Sequence, residues 1–189
     1  MDCCEEESIT SNSRRRVLVD LAFEEFRKNG FINVRMDDLA RKAGISKKTI
    51  YCEFTSKDQL INLYIKNIHD ELQSEILTVF DSSLSSNDRW KFLVNRYCKF
   101  SLNISETFYN DLFKKIDHYN LFMHHRNEFI NNIISYFPAE YAHVLSVYMY
   151  AYATTVLNTL CQKVDGINIS QLEDIIVPFY EIGFHYLKS

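Results

Sequence analysis

Glycine and proline are scarce in this chain, with 4 Gly and 2 Pro among 189 residues. A β-sandwich or barrel needs turn residues at short, regular intervals, so both are excluded and long helices are favoured. No apolar run approaches the roughly 20 residues of a membrane span, and the first residues hold no signal-type apolar core. A cytoplasmic protein with no membrane partner is therefore expected. The five cysteines, Cys3, Cys4, Cys52, Cys98 and Cys161, form no C-x-x-C pair and no ligand spacing with histidine. That pattern predicts reduced, mostly buried thiols and neither a disulfide framework nor a metal centre. Nucleophile elbow, glycine-rich phosphate loop and H-E-x-x-H are all missing, so nothing points to an enzyme or to a cofactor.

What the chain does hold is apolar and aromatic material: 47% hydrophobic residues, with 12 Tyr and 14 Phe. That supply can build a thick core and can also line an apolar pocket. The net charge of −4 is unevenly spread. Residues 13–57 carry 11 Lys/Arg against 6 Asp/Glu, whereas residues 61–189 carry 10 against 14. A basic N-terminal module on an acidic body can bind phosphates with one end only.

Helical periodicity organises the chain. Residues 1–12 are acidic and Ser-rich without an apolar period, and read as a disordered tail. Val17, Leu18, Leu21, Ala22 and Phe26 mark a first helix that stops at Asn29 and Gly30. Short helices follow over 36–43 and 47–54. Lys57 opens a long fourth helix with a stripe of Leu60, Tyr64, Ile68, Leu72, Ile76 and Val79, broken by polar residues 81–88. A fifth carries Trp90, Leu93, Val94, Tyr97, Cys98 and Ser101 on one face. Segments over 106–116 and 121–136 precede Pro138. The stretch 139–164 is apolar on nearly all sides, and Ser170 caps a last helix through Tyr186, bent at Pro178. The fold class expected is all-α: an N-terminal three-helix bundle with a helix-turn-helix over 13–57, and a helical ligand-binding and dimerisation domain over 58–189.

The informative stretch is 30–57. Two helices crossing through a short turn need a small residue at their contact, Ala40, and a residue tolerant of positive φ in the turn, Gly44. Leu39, Ile45 and Ile50 lock the pair from inside, and Ser46 can cap the next helix. Its exposed face then offers Lys47, Lys48, Thr49 and Tyr51, all hydrogen-bond donors suited to a major groove. This run resembles the tetracycline-repressor-like (TetR) family of regulators. The resemblance rests on Ala22, Phe23, Phe26, Gly30, Phe31, Leu39, Ala40, Ala43, Gly44, Ile45, Ser46, Thr49, Ile50, Tyr51, Phe54, Ser56, Lys57 and Leu60, and covers the first third of the chain. It implies a homodimeric, ligand-released repressor of a palindromic double-stranded DNA operator. In that scheme Tyr51 and Lys57 are phosphate clamps, and Lys47, Lys48 and Thr49 look toward base edges. Three departures stand out: Arg35 replaces a capping Thr or Ser yet can reach a phosphate, Lys48 replaces a frequent Gly, and Glu53 sets a carboxylate where it would repel phosphate or select a cytosine amino group.

In the body, Tyr97, Phe108, Phe113, Phe122, Tyr148 and Tyr152 are candidates for lining a pocket for a small apolar or aromatic effector, although each position also suits a core. His118, His124 and His125 are expected as polar lining or surface rather than metal ligands. The dimer interface is expected on the last two long helices, with Val147, Ala151, Thr154 and Asn158 facing a second chain beside Ile175, Phe179 and Ile182. Two rival readings remain: a ligand-binding or adaptor protein with a vestigial helix-turn-helix, and a small helical enzyme using the aromatic cleft.

Overall fold

A computed structural model describes the backbone of residues 3–80 and 83–162. These residues form α1 (Cys3–Asn29), α2 (Met36–Lys42), α3 (Lys47–Glu53), α4 (Lys57–Phe80), α5 (Ser86–Asn103), α6 (Glu106–Lys114), α7 (Ile116–Ile134) and α8 (Ala139–Gln162), with no strand among them. The all-helical architecture matches the expectation. The expected last helix from Ser170, with Ile175, Pro178, Phe179 and Ile182, lies outside the described residues.

Helix ends follow from local chemistry. α1 stops where Gly30 takes φ +70 and its N–H closes on Phe26 O at 3.0 Å; a side chain there would meet the left-handed penalty. Ser85 and Ser105 cap α5 and α6, each hydroxyl accepting a backbone N–H three residues on, at 3.2 Å. Each cap satisfies one of the free N–H groups of a helix start.

The core is strung along α4. Leu60, Ile61, Tyr64, Ile65, Ile68, Leu72, Ile76 and Phe80 are all buried, a stripe wide enough for α1 and α5 as well as α7, its principal neighbour. On α5 the face with Trp90, Leu93, Val94, Tyr97, Cys98 and Ser101 is buried as expected. Truncating a fully enclosed residue such as Ile65 would cost about 2–5 kcal/mol.

Two boundaries and the exposure of one thiol differ from expectation. The backbone of residues 3–12 continues α1 where a disordered tail was expected. That segment holds no Gly or Pro, and extending an existing helix needs no new nucleus. α7 begins at Ile116 rather than at Leu121, because residues 116–120, largely polar, form its first turns with His118 facing inward. Cys52 is exposed whereas Cys98 is buried.

Candidate nucleic-acid interface

The turn between α2 and α3 is built from backbone geometry first. Gly44 takes φ +67, and its N–H reaches Arg41 O at 3.1 Å while Ile45 N–H reaches Ala40 O at 3.0 Å. This pair of bonds is a Schellman closure, which glycine permits without strain. Ser46 then starts α3, its hydroxyl accepting from Thr49 N–H at 3.1 Å and lying 2.8 Å from the Thr49 hydroxyl. Leu39, Ala40 and Ile50 are buried beneath, so α3 is fixed on α2 and cannot roll about its axis without breaking the core.

The outer face of α3 carries Lys47, Lys48 and Tyr51, all exposed, with Thr49 half-buried. Lys47 donates to the Asp37 carboxylate at 2.7 Å. That hydrogen bond, more than the charge alone, raises the Lys47 pKa, and as an exposed pair it can be exchanged for another anion at little cost. Arg35 is exposed at the start of α2 and makes no side-chain cap. Arg35, Lys47, Lys48 and Tyr51 thus lie on solvent-facing surfaces of one small bundle.

Two residues make contacts within the protein that the sequence did not show. Lys57 donates its ammonium to the carbonyls of Phe31, Ile32 and Val34, at 2.9, 2.9 and 3.0 Å. Its three donors are thereby engaged inside the protein, and partial burial, the largest influence, lowers its pKa. Glu53 points back to α1: its side chain is 12% exposed and 3.9 Å from Arg14, and its carbonyl accepts from Arg15, whose guanidinium covers the Phe54 ring at 4.2 Å. Part of the Glu53 charge is thereby offset from α1. The Arg14, Arg15 and Arg16 run was not singled out from sequence, because nothing local says that the start of α1 meets the end of α3.

The segment 30–35 is also held from the body. Asp111 on α6 is 2% exposed, and one of its oxygens accepts from Phe31 N–H and Ile32 N–H, both at 2.8 Å. The loop that enters the helix-turn-helix is therefore clamped twice, its carbonyls by an ammonium and its N–H groups by a carboxylate. His118 on α7 joins the same seam, with ring nitrogens 3.1 Å from Asp58 Oδ1 and 3.2 Å from Asn62 Oδ1. His124 and His125 both turn to Glu128 near the surface.

The five aromatic candidates whose side chains are described divide between core and surface. Phe108 packs against Phe31, Tyr64 and Tyr109, Phe122 against Tyr109 and His69, and Tyr97 stacks on Phe129 at 5.9 Å. These three are core residues, each at most 5% exposed. Phe113 is 51% exposed, because the buried face of the short α6 is taken by Phe108, Tyr109 and Leu112. Tyr148 is half-buried, and the Tyr152 side chain lies outside the described residues. Clefts open elsewhere, one of about 490 Å³ between α1 and α4 beside Arg15, Val19, Phe23 and Leu63.

A capped recognition-type helix on a short turn, mounted on a helical body, defines the class of helix-turn-helix proteins. Comparison with known proteins narrows the class. Residues 18–63 match the family described as bacterial regulatory proteins, tetR family. The HTH-type transcriptional regulator BetI of Agrobacterium fabrum is 29% identical over 82 residues, which is 43% of this chain and 40% of that protein. BetI of Rhizobium meliloti is 28% identical over 81 residues, with the same shares. The chain thus matches less than half the length of these curated relatives. Over the whole fold, a tetR-family transcriptional regulator from Streptomyces coelicolor superposes with TM-score 0.66 at 22% identity, covering 89% of this chain and 79% of the other. The transcriptional regulator FadR from Bacillus subtilis, solved in complex with stearoyl-CoA, superposes with TM-score 0.64 at 12% identity, covering 87% and 96%. Residues 18–63 thus resemble the tetR-family regulators, and the described helices share the fold of the solved structures.

Proposed function

We propose that this protein is a DNA-binding transcriptional regulator, a homodimeric repressor that sets two copies of α3 in successive major grooves of a palindromic operator and leaves it when an effector enters the body. The observation that carries the reading is the outer face of α3: Lys47, Lys48 and Tyr51 exposed on a helix whose start is capped and whose back is buried. Such a face presents donors in fixed register, which base reading requires. The basic surplus of residues 13–57 supports phosphate contact at the same end. A vestigial helix-turn-helix is less well supported, since Glu53, one motive for it, is withdrawn to Arg14.

Footprinting and gel shifts on DNA flanking the protein's own gene test this reading; no protected site at moderate salt would sink it. With a site in hand, Lys48→Gly should lose about 1–3 kcal/mol at one base position per half-site, while Tyr51→Phe should weaken all duplexes alike. Lys57→Met should lower the melting temperature yet leave the salt dependence of binding unchanged, because its donors serve the 30–35 loop. A salt slope reduced by about one unit would return Lys57 to a phosphate.

Dimerisation is proposed through α8, where Val147 is 57% exposed and Ala151 and Thr154 are exposed along one side. Asn158, the fourth residue expected there, has its side chain outside the described residues. Ala151→Glu would set two carboxylates together across a two-fold axis, and sedimentation should then find monomers with weakened operator binding. An intact Ala151→Glu dimer would place the interface elsewhere.

A further inference from the structure

One hydroxyl at the edge of the core has no partner in the protein. Tyr64 of α4 is 1% exposed, and its hydroxyl oxygen is buried without a hydrogen bond. Phe23, Phe26 and Phe108 hold the ring at centroid distances of 5.0, 5.7 and 5.2 Å, so the hydroxyl cannot swing away to find one. Native proteins seldom leave a buried hydroxyl unsatisfied, because its lost hydration is not returned.

Tyr64 lines a cleft of about 170 Å³ where α1, α4 and α5 meet, with Leu72 and Phe100 among its apolar walls. Burial, the largest influence, drives the Tyr64 pKa up to about 12, while Arg27 pulls it down and Glu71 pushes it up. Both of these charged residues line the same cleft, so the hydroxyl end of the ring faces into it. Arg27 approaches the hydroxyl without closing a bond of ordinary geometry.

The charges around the cleft are not equally committed. Glu75 and Arg96 are bonded to each other across α4 and α5. Glu71 accepts from the Asn67 amide at 2.6 Å through Oε1, which leaves Oε2 open. Arg27 makes no ion pair among the described residues. Two open groups of opposite sign thus flank the hydroxyl, a cationic fork on α1 and a carboxylate oxygen on α4. A simple carboxylate would be repelled by Glu71, and a simple amine by Arg27. A molecule carrying both charges on neighbouring atoms answers both, and its carboxylate can also accept from the hydroxyl. Drug-sized ligands ask for roughly 300 Å³ or more, so this cleft suits a smaller molecule with a short hydrocarbon branch.

Resting on the reading of this protein as an effector-released regulator, we propose that this cleft is the effector site and that it takes an α-amino acid with an aliphatic side chain. The carboxylate accepts from Arg27 and from the Tyr64 hydroxyl, the ammonium donates to Glu71, and the side chain lies against Leu72 and Phe100. Arg27 stands in the last turn of α1, which enters the head, and Glu71 stands on the part of α4 inside the body. One small molecule therefore ties head to body.

The test uses the full chain without DNA, titration calorimetry and thermal melts, with L-leucine, 4-methylpentanoate, 3-methylbutylamine and glycine at millimolar concentration. L-Leucine should bind and raise the wild-type Tm by roughly 2 °C or more. The other three, which lack its ammonium, its carboxylate or its side chain, should each do markedly less. Ligand-free Tyr64→Phe should melt no lower than wild type, since it deletes an unsatisfied hydroxyl, and should bind leucine about tenfold more weakly or worse. Arg27→Gln, at an exposed position, should keep the fold and lose leucine similarly. Glu71→Gln should reverse the preference, weakening leucine and strengthening 4-methylpentanoate, an exchange that mere loss of stability would not produce. Absence of leucine binding in the wild type overturns the proposal. So does leucine binding that survives both Tyr64→Phe and Arg27→Gln, or equal binding of 4-methylpentanoate. A Tyr64→Phe chain that melts well below wild type would show the hydroxyl already satisfied within the protein, with the same consequence. Calorimetry needs no operator, so a chain that binds leucine but no DNA overturns the regulator reading alone. Leucine that binds and leaves operator affinity unchanged overturns the effector role.

Discussion

Gly44 and Gly30 hold nearly the same left-handed backbone, at φ +67 and +70, in two very different settings. At Gly44, inside the helix-turn-helix head, a side chain would find nothing within 4 Å. At Gly30, on the seam between head and body, an added Cβ would collide with Asp111 Oδ2 and lie 2.8 Å from Thr107 Cγ2. The head therefore uses glycine for conformation alone, whereas the seam uses it for conformation and close approach. A turn inside the head can change without disturbing the body, but the entry to the head is fitted against α6 and is sensitive from both sides.

The largest expected effect is at Gly30. Gly30→Ala adds left-handed strain and drives the Asp111 carboxylate off two N–H groups, a combined cost of about 3–5 kcal/mol. Thermal melts should show a fall of roughly 10 °C or more. A loss no greater than that of Gly44→Ala would mean that α6 yields, and the contrast between the two sites would collapse.

The next effect sharpens the contrast from within the body, which buries a titratable group far from any turn. His69 is neutral in the folded chain, its pKa pushed down to about 4 chiefly by burial, with the charges of His125 and Arg126 adding to it. The unfolded chain takes up this proton near pH 6.5, so between there and pH 4 the unfolded state binds more protons. Stability from this group is complete above about pH 6.5 and is lost as pH falls toward 4, by up to about 3 kcal/mol. Denaturant titrations at pH 7 and pH 5 should reveal that slope, and His69→Phe should flatten it. An equal slope in the variant would assign the acid sensitivity to other groups.

Smallest is Gly44→Ala, which meets only the backbone penalty and should cost about 1 kcal/mol. A loss above about 3 kcal/mol would show that the turn is packed against something after all.

The head was readable in the sequence because its rules are local. Gly30, Gly44, Ser46 and the small Ala40 each act within a few positions of themselves, so spacing alone placed α2 and α3. The clamps on the 30–35 loop were not readable. Lys57 looks from sequence like any exposed cation at a helix start, and only the folded chain brings Phe31, Ile32 and Val34 carbonyls to its ammonium. Asp111 sits between polar Asn110 and apolar Leu112 on a nine-residue helix, too short for periodicity to say which way a carboxylate faces. The same shortness left the exposure of Phe113 unread. Tyr64 reads from sequence as one more ring of the α4 stripe, and only the folded chain sets its hydroxyl in a cleft beside Arg27 and Glu71.

The bond from Phe31 N–H to Asp111 joins residues 80 positions apart, which bears on how the chain is made. A nascent head can pack α1, α2 and α3 as soon as they emerge, since those contacts are close in sequence. The amides of Phe31 and Ile32 must stay in water until α6 has been synthesised and has docked. The head is thus finished by a residue translated long after it. In a fragment ending before Asp111 those two amides would exchange their hydrogens quickly, while the α2–α3 turn would already be closed.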